Sequence, residues 1–346
     1  MHASKTALLL LPLMLAAAGA APRIQVVPDD AGRRVDVLID GKPFTSYIYP
    51  ASLKKPTLFP LRTAEGTIIT RGFPLEPRPG ERVDHPHQVG LWLNHGDVNG
   101  LDFWNNSDAI PAAQASKMGT ILHRRVVEAK SGEDSGELVV ETDWVKPGGI
   151  PLVREHTRFI FRGTAGSRSI DRITTLTALA ERVVFNDNKE AFLGMRVARG
   201  LEQPDDKAEV FTDASGRPSA AKVVDNTGVT GKYASSEGLE GDAVWGTRGR
   251  WVLLGGTVES EPVTLAILDH PSNPGFPTYW HARGYGLFAA NPLGEKVFTE
   301  GKKELNLTLE PGQSTTFKYR VLILSGAVKP GAIEKAYRAF AKRTSL

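Results

Sequence analysis

Residues 84–104, DHPHQVGLWLNHGDVNGLDFW, concentrate side chains that transfer protons or stack on rings. The stretch holds three of the eight histidines of the chain, three aspartates and two of the six tryptophans. A protein core has little use for this set, because buried polar groups cost free energy unless each finds a hydrogen-bond partner. Several titratable groups in one short stretch are typical of a functional site. The stretch therefore predicts a site.

A spacing of two within this stretch predicts which side chains face the same way. His85 and His87 are two residues apart, as are His95 and Asp97, and Asn99 follows two further on. On an extended chain such residues face the same side. We therefore expect two His/Asp pairs at a common cavity, with Asp97 orienting a histidine through its second ring nitrogen. The alternative is that these histidines only fix the loop through hydrogen bonds to its carbonyl groups.

A second stretch, residues 268–294, is rich in Pro, Gly and Asn, which predicts loop more than strand. Loops on a rigid scaffold are where binding residues concentrate. Tyr279, Trp280, His281 and Arg283 would supply ring faces, an acid/base group and a fixed cation. The alternative for Trp280 is a place in the core, since large aromatic side chains are mostly buried.

A third stretch, FNDNKEAFLGMRVA at residues 185–198, opens with polar residues and then becomes apolar. Glu190 is a candidate general base and Lys189 its charge partner, while Asp187 could orient either of them. A single Lys-Glu pair is more often a solvated surface pair that contributes little. The pair therefore gains weight only in combination with the other two stretches.

Composition and the N-terminal residues narrow the function classes. The segment at 1–20 has one lysine, an apolar run and a small-residue cleavage pattern, which predicts a secretory signal peptide and an exported, periplasmic or extracellular protein. No later apolar run approaches the ~20 residues that span a bilayer. Cysteine is absent, which excludes disulfides and thiol chemistry. The 42 basic and 39 acidic residues are mixed along the chain without a basic stripe, so no nucleic-acid partner is expected.

Short apolar and β-branched runs separated by turn residues predict an all-β protein. The clearest runs lie at residues 34–40, 137–145, 156–163, 250–258 and 263–270, with two more strands expected around the Pro311-Gly312 turn within 305–326. Residues 330–343 alone have convincing helical character, with Ile333, Tyr337 and Phe340 on one apolar face. We therefore expect one large antiparallel β-sandwich domain at residues 21–346 with a short C-terminal helix.

Four segments together resemble the PmoA-like family of exported bacterial proteins. They are DHPHQVGLWLNHGDVNGLDFW, NKEAFLGMRVA, DAVWGTRGRWV and DHPSNPGFPTYWHARGYGLFAANPLG. The resemblance extends from about residue 43 to residue 325. It implies a β-supersandwich similar to the galactose-mutarotase-like fold, in proteins of bacterial glycan utilisation. That fold commonly binds sugars on its concave face and uses histidines and carboxylates for acid/base chemistry.

The leading hypothesis is a carbohydrate-active acid/base enzyme of the hydrolase, lyase or epimerase type. His87 or His95 would be the general acid, Glu190 the general base, Asp97 the orienting carboxylate and His281 a polarising group or second acid. Aromatic faces stack on sugar rings, while polar groups fix hydroxyls. The expected substrate contacts are His85, Trp92, Asn94, Asn99, Trp104, Lys189, Trp280 and Arg283.

Two alternatives and one refinement remain open. A non-catalytic glycan-binding protein would use the same tryptophans and asparagines without titratable groups, and a structural or partner-binding sandwich would use the histidines only to hold loops. The refinement adds a divalent metal held by some of His85, His87, His95 and His281, which would suit oxidised sugars with a keto group. No cofactor is otherwise implied, and the oligomeric state is open.

Overall fold

The computed structural model describes residues 23–221 and 223–343, so the predicted signal peptide lies outside the described residues. Strands form at the short runs of β-branched and aromatic residues, and turn residues end them. The first ten strands are β1 (Ile24–Asp29), β2 (Arg34–Ile39), β3 (Lys42–Ile48), β4 (Thr57–Leu58), β5 (Leu91–His95), β6 (Thr120–Lys130), β7 (Gly136–Val145), β8 (Pro151–Thr164), β9 (Ser167–Ala178) and β10 (Val183–Phe185).

The second half of the chain adds ten strands and both α-helices. They are β11 (Ala191–Arg196), β12 (Glu209–Thr212), β13 (Pro218–Ala221), β14 (Lys232–Ser235), β15 (Trp251–Val258), β16 (Glu261–Asp269), β17 (Tyr279–Arg283), β18 (Leu287–Asn291), β19 (Leu307–Leu309), β20 (Ser314–Ser325), α1 (Glu295–Phe298) and α2 (Pro330–Ala341). Short 3-10 helices lie at Ala112–Lys117, Arg199–Leu201 and Gly241–Val244.

Two large sheets form the sandwich. Sheet 1 has the strand order β1-β2-β3-β4-β5-β11-β18-β17, and sheet 2 has the order β14-β15-β16-β20-β9-β8-β7-β6. Neighbouring strands in both sheets are antiparallel. Two small sheets, β10-β19 and β12-β13, lie outside them. The predicted large antiparallel sandwich is confirmed.

The main core lies between the two sheets, where alternate residues of each strand meet. Leu91 and Leu93 of β5 belong to this core together with Val321 and Ile323 of β20. Helix α2 covers the outer side of sheet 2, because Ile333, Tyr337 and Phe340 pack against Trp251 and other buried residues there. The predicted C-terminal helix is therefore confirmed. No helix in the described part of the chain is both long and apolar enough to cross a membrane.

Two local predictions can be compared with the structure in detail. The stretch 268–294, expected to be loop more than strand, contains strands β17 and β18 at one edge of sheet 1, because YWHAR and LFAAN are rich in apolar residues. The two strands expected around Pro311-Gly312 form as β19 and β20, of which β19 pairs with β10 and β20 pairs with β9. The boundary of the single predicted domain stays a prediction.

Candidate functional site

One row of side chains crosses the outer face of sheet 1, the face turned away from the main core. The strand register aligns Trp92 with Gly194, Gly194 with Ala289, and Ala289 with His281. Paired residues in an antiparallel sheet lie on the same face. Strand alternation also places Arg196 and Arg283, each two residues along its strand, on this face. All three predicted stretches therefore meet here, through β5, β11, β18 and β17.

Trp92 and Trp104 form a packed floor at one end of the row. Both rings are fully buried, and their centroids lie 5.3 Å apart. A Cβ atom at Gly194 would lie 2.7 Å from Trp92 Cζ2, so only glycine allows the ring to lie across that strand. Trp92 Nε1 donates to Asn94 Oδ1 (3.0 Å), and Asn94 Nδ2 donates to the carbonyl of Phe103 (2.6 Å). Trp92, Asn94 and Trp104, all predicted sugar contacts, are thus fully buried by neighbouring side chains. They cannot contact a ligand unless those neighbours move.

Glu190 and His281, two of the predicted site residues, lie side by side at this face. His281 Nδ1 lies 3.8 Å from Glu190 Oε2, and Lys189 Nζ lies 3.4 Å from Glu190 Oε1. The His281 side chain is 4% exposed, that of Glu190 21% and that of Lys189 56%. Among the described residues, buried His281 Nδ1 has no hydrogen-bond partner. A buried polar atom without a partner beside a half-buried carboxylate indicates a place for a ligand atom.

Burial shifts the proton affinities of this pair in opposite directions. Burial raises the pKa of Glu190, while the charge of Lys189 partly opposes the shift. Burial lowers the pKa of His281 to about 3, helped by the positive charges of Arg283 and Lys189. The charge of His85 also bears on both groups, which places His85 within electrostatic reach of the pair. At neutral pH His281 is therefore a neutral imidazole.

A buried ion network holds His85. The Asp84 carboxylate accepts hydrogen bonds from His85 Nδ1 (2.7 Å), from Arg196 (2.6 Å) and from Arg71. Burial alone would raise the pKa of Asp84, but His85 and the charges of Arg196 and Arg71 outweigh it and hold this pKa well below its usual range. His85 has a positive φ (41°), and its side chain is 41% exposed. Asp84 therefore takes the orienting role that the sequence analysis gave to Asp97.

Tyr285 joins this network to a polar pocket. Its ring stacks on His85 with centroids 5.1 Å apart and an interplanar angle of 3°, and the Arg196 guanidinium lies 4.7 Å from its centroid. The same ring lines a pocket of about 290 Å³. The pocket is otherwise lined mainly by polar side chains and one further ring: Gln203, Asp205, Lys207, Asp242, Trp245 and Arg283. Neither Glu190 nor His281 lines this pocket, but Arg283 is two residues from His281 on the same strand and Tyr285 stacks on His85, so the pocket begins near the Glu190–His281 pair.

His87 faces away from this pair. Its ring is only 5.6 Å from that of His85, but the residue is 8% exposed and lines a different pocket of about 440 Å³. Burial, with the nearby charge of Lys55, lowers the pKa of His87 to about 2. His87 therefore stays neutral at physiological pH. The general-acid role expected for it has less support than the same role at His85.

His95 and Asp97 do not reach the site. His95 is fully buried against Phe185 and Phe192, and its Nε2 donates to the carbonyl of Asn186 (2.8 Å). Asp97 accepts from Gly100 N and Asn186 Nδ2, so it orients a turn and no histidine. The reason is strand parity: His95 shares the core face of β5 with Leu91 and Leu93. The structure therefore places the expected general acid His95 and orienting acid Asp97 away from Glu190 and His281.

Asn99 and Trp280 also have structural positions. The Asn99 side chain donates to Arg182 O (2.9 Å) and accepts from Val184 N (2.7 Å), which ties the turn to β10. Trp280 is fully buried in the main core and donates to Gly249 O. The polar groups of both side chains are thus bonded within the protein, and Trp280 has the core position that was the alternative to a binding role.

The four histidines of the expected metal site are not grouped. His95 lies on the core face of sheet 1, whereas His281 lies on the outer face and His87 turns to a separate pocket. Within residues 23–221 and 223–343, no three His, Asp or Glu side chains are arranged to hold a metal ion. The donor set needed for the metal refinement is therefore not assembled by these side chains.

The sequence analysis missed several residues that complete the site. Arg71 and Arg196 are fully buried around Asp84, Gln88 accepts from Arg196 (2.6 Å), and Tyr285 stacks on His85. An arginine at 196, at the end of an otherwise apolar strand, was a usable signal, because a buried arginine needs a buried partner. Arg71 stands in an irregular segment and gave no such signal.

A family model matches residues 34–338, described as "Family of unknown function (DUF6807)". The chain belongs to this family. The predicted membership of a PmoA-like family was wrong, because the match over most of the chain is to DUF6807. The four motif segments quoted above fall within residues 34–338, so they are motifs of a DUF6807 chain. No curated protein matches the sequence.

Several solved structures are similar to this DUF6807 chain in fold. The galactosidase domain of an alpha-galactosidase-sucrose kinase is 8% identical with a TM-score of 0.39, covering 87% of this chain and 42% of that one. Galactose 1-epimerase from Lactobacillus acidophilus NCFM is 10% identical with a TM-score of 0.37, covering 88% and 98%. A galactose mutarotase-like protein from Clostridium acetobutylicum is 10% identical with a TM-score of 0.35, covering 88% and 99%. The chain thus spans less than half of the first structure, and similarities this distant carry no functional argument.

Proposed function

We propose that the protein is a carbohydrate-active enzyme that transfers protons on a sugar, of the epimerase or lyase type. Glu190 is the general base, His281 binds the reacting oxygen, and His85, oriented by Asp84, is the general acid. The observation that carries the proposal is the pairing of Glu190 with His281 beside a polar, ring-lined pocket. The two residues belong to separate stretches of the sequence.

The separation of the pair suits one substrate oxygen. Glu190 Oε2 and His281 Nδ1 are 3.8 Å apart. A hydroxyl oxygen can lie at an ordinary hydrogen-bond distance of about 2.8 Å from both atoms at once. The raised pKa of Glu190 brings the carboxylate nearer to the range in which a base works well at neutral pH. The neutral imidazole of His281 can share the proton without adding a second charge.

The surroundings favour proton transfer over hydrolysis of a glycosidic bond. Glycosidases generally use two carboxyl groups, one of them protonated. Asp84 is held as an anion by Arg71 and Arg196, and Asp102 accepts from Trp104 N and from both the backbone and side chain of Asn105. Neither carboxylate is free to act as the second acid. Asp205 and Asp242 line the neighbouring pocket, where Asp242 accepts from Gln203, so the Glu190 carboxylate beside the His281 imidazole supports abstraction and return of a proton.

The pocket beside the pair has the chemistry that sugars need. Trp245 is 40% exposed and offers a ring face, and Tyr285 supplies a second ring. Gln203, Asp242 and Arg283 bring amide, carboxylate and guanidinium groups that bind hydroxyls. Gln203 Nε2 already donates to Asp242 (2.6 Å), so the polar groups are positioned before a ligand arrives.

The test is a paired binding and turnover screen of the mature protein. Neutral monosaccharides, uronic acids and disaccharides are assayed by thermal shift, by NMR for anomer or epimer exchange, and by absorbance for unsaturated products. At least one sugar class should raise the unfolding midpoint and show catalysed exchange or elimination. Binding without turnover would favour the glycan-binding alternative, and no binding to any sugar would overturn the proposal. Export through the segment at residues 1–20 belongs to the same proposal.

A further inference from the structure

The larger pocket, on the other side of the His85–His87 loop, places a buried lysine and a buried histidine in a lining of apolar and small polar side chains. It has a volume of about 440 Å³, and Lys55, His87, Asn106, Ser107 and Leu75 contribute to its lining. The rings of His85 and His87 are in edge contact with centroids 5.6 Å apart. The wall of this pocket therefore begins next to the residue that we assign as general acid.

Lys55 is a buried cation without a direct counter-ion. The residue is 5% exposed, and its ammonium donates to the carbonyl of His87 (2.6 Å) and lies 5.4 Å from the Trp92 ring centroid. In the described part of the chain the ammonium makes no ion pair. The carboxylate whose charge acts on it, Asp102, has its oxygens engaged by the backbone and side chain of the following loop. An unpaired buried charge is unfavourable, and a ligand anion that pairs with Lys55 would remove this cost.

His87 offers a second polar atom to the same pocket. Its Nε2 is buried and has no hydrogen-bond partner among residues 23–221 and 223–343. The rim carboxylate of Asp108, which also lines the pocket, is neutralised by Lys54 at 2.5 Å. The pocket therefore combines an uncompensated ammonium and an unpartnered imidazole with a rim of little net charge.

We propose that this pocket binds the carboxylate of a sugar acid, with the Lys55 ammonium and His87 Nε2–H as its two ligands. The inference rests on the proposed function and specifies its substrate class: a sugar whose reacting end meets His85 and Glu190 would carry an acidic group into the adjoining pocket. A carboxylate there accepts one charge-assisted and one neutral hydrogen bond.

The same geometry couples binding to protonation. Burial lowers the pKa of Lys55 to about 7, and the charge of Asp102 opposes this shift. The other titratable groups around the ammonium are His87, which stays neutral, and the Lys54–Asp108 pair at the rim. Because the carboxylate requires charged Lys55, its affinity falls as the pH rises above about 7.

The experiment measures calorimetric affinity of the full chain for galacturonate and glucuronate against galactose and glucose, at pH 6 and pH 8.5, with inorganic phosphate and sulfate as further probes. At pH 6 a uronate should bind at least tenfold more tightly than its neutral sugar, and this preference should shrink about tenfold or more by pH 8.5. Lys55→Met should abolish the preference, whereas Lys302→Met, at an exposed lysine, should leave it unchanged.

Each outcome separates this inference from the proposed function. Equal affinity for uronates and neutral sugars, unaffected by Lys55→Met, would overturn the acid subsite and leave the enzyme proposal standing. No affinity for any sugar would overturn both. Binding of phosphate or sulfate without uronates would show an inorganic-anion site and also overturn the inference. If Lys55→Met does not fold, the pH dependence of the wild-type preference decides the question by itself.

Discussion

His281 Nδ1 and Glu190 Oε2 lie 3.8 Å apart at the outer face of sheet 1. Glu190 comes immediately before β11 and His281 lies in β17, and β18 pairs with both strands. The pair therefore depends on the sheet register, and a loop movement alone would not produce it. The β11–β18–β17 pairing sets the separation of the two residues, which gives the precision that acid/base catalysis requires.

Replacing Lys189 with Gln should move the acid limb of the pH–rate profile to higher pH. A general base is inactive when protonated, so turnover falls as the pH falls through the pKa of Glu190. Lys189 lowers this raised pKa by its charge, and its removal should raise the pKa further. The measurement is kcat/KM between pH 4 and pH 8 for both proteins. An acid limb that is unchanged or displaced downward would contradict Glu190 as the base.

Replacing Arg283 with Gln should mainly weaken substrate binding. Arg283 lines the polar pocket, and its guanidinium lies 5.3 Å from the Trp245 ring. Loss of a charged hydrogen-bond donor to a ligand typically costs about 1.5–3 kcal/mol, so KM should rise about tenfold or more. Arg338→Gln, at an exposed helix position, is the matched control. A loss confined to kcat would place Arg283 in the chemical step instead.

Replacing Asp84 with Asn should strongly destabilise the fold. The side chains of Arg71 and Arg196 are 0% exposed, and Asp84 is the carboxylate that pairs with both. Removing one partner from a buried ion network costs about 3–5 kcal/mol, because the remaining charges stay buried. Urea unfolding at pH 7 gives the change in free energy of unfolding. Asp30→Asn, at an exposed position, should change it by less than about 0.5 kcal/mol.

Acid should weaken the Asp84 network in a defined direction. The folded-state pKa of Asp84 lies below its unfolded value, so its stabilising contribution is complete above the unfolded pKa of about 3.9 and is lost as the pH falls from there. The difference in free energy of unfolding between wild type and Asp84→Asn should therefore be constant around neutral pH and become smaller below about pH 4. A difference in free energy of unfolding that becomes larger in acid would contradict the proposed ion network around Asp84.

Replacing His95 with Gln should lower stability and spare turnover. Burial lowers the pKa of His95 to about 4, while the unfolded value is about 6.5. The folded state thus resists protonation, and this histidine removes about 1.4 kcal/mol of stability per pH unit as the pH falls between these values. The variant should lose that slope, as measured by urea unfolding at pH 7 to pH 4.5. A folded variant with a large loss of kcat would restore His95 as a catalytic candidate.

The sequence predicted the sandwich well because a strand-length apolar run indicates a strand whichever strand it pairs with. RVDVLI, ELVVETDWV and VTLAILD all lie in strands. The β17–β18 hairpin was missed because Pro and Gly around YWHAR and LFAAN masked two short strands. This hairpin brings His281 close to Glu190. The sequence therefore predicted both residues but not the strand pairing that brings them together.

Site prediction failed where both faces of a strand are buried. All five residues of LWLNH in β5 are buried, so the pattern did not show which parity faces the core. His95 fell on the core face, and Trp92 and Asn94 on a face that is itself covered. Lys54 and Lys55 also could not be told apart from the sequence, because they are identical and adjacent. Lys54 pairs with Asp108 at a pocket rim, whereas Lys55 is buried.

The most direct measurement compares turnover and binding of Glu190→Gln with those of wild type. Gln keeps the size and hydrogen-bonding capacity of the side chain but cannot accept the proton, so turnover should fall about 100-fold or more while sugar affinity stays within a few-fold. Glu304→Gln, at an exposed ion pair with Lys296, should match wild type in both. Unchanged turnover in a folded Glu190→Gln protein would contradict proton transfer by Glu190 and His281.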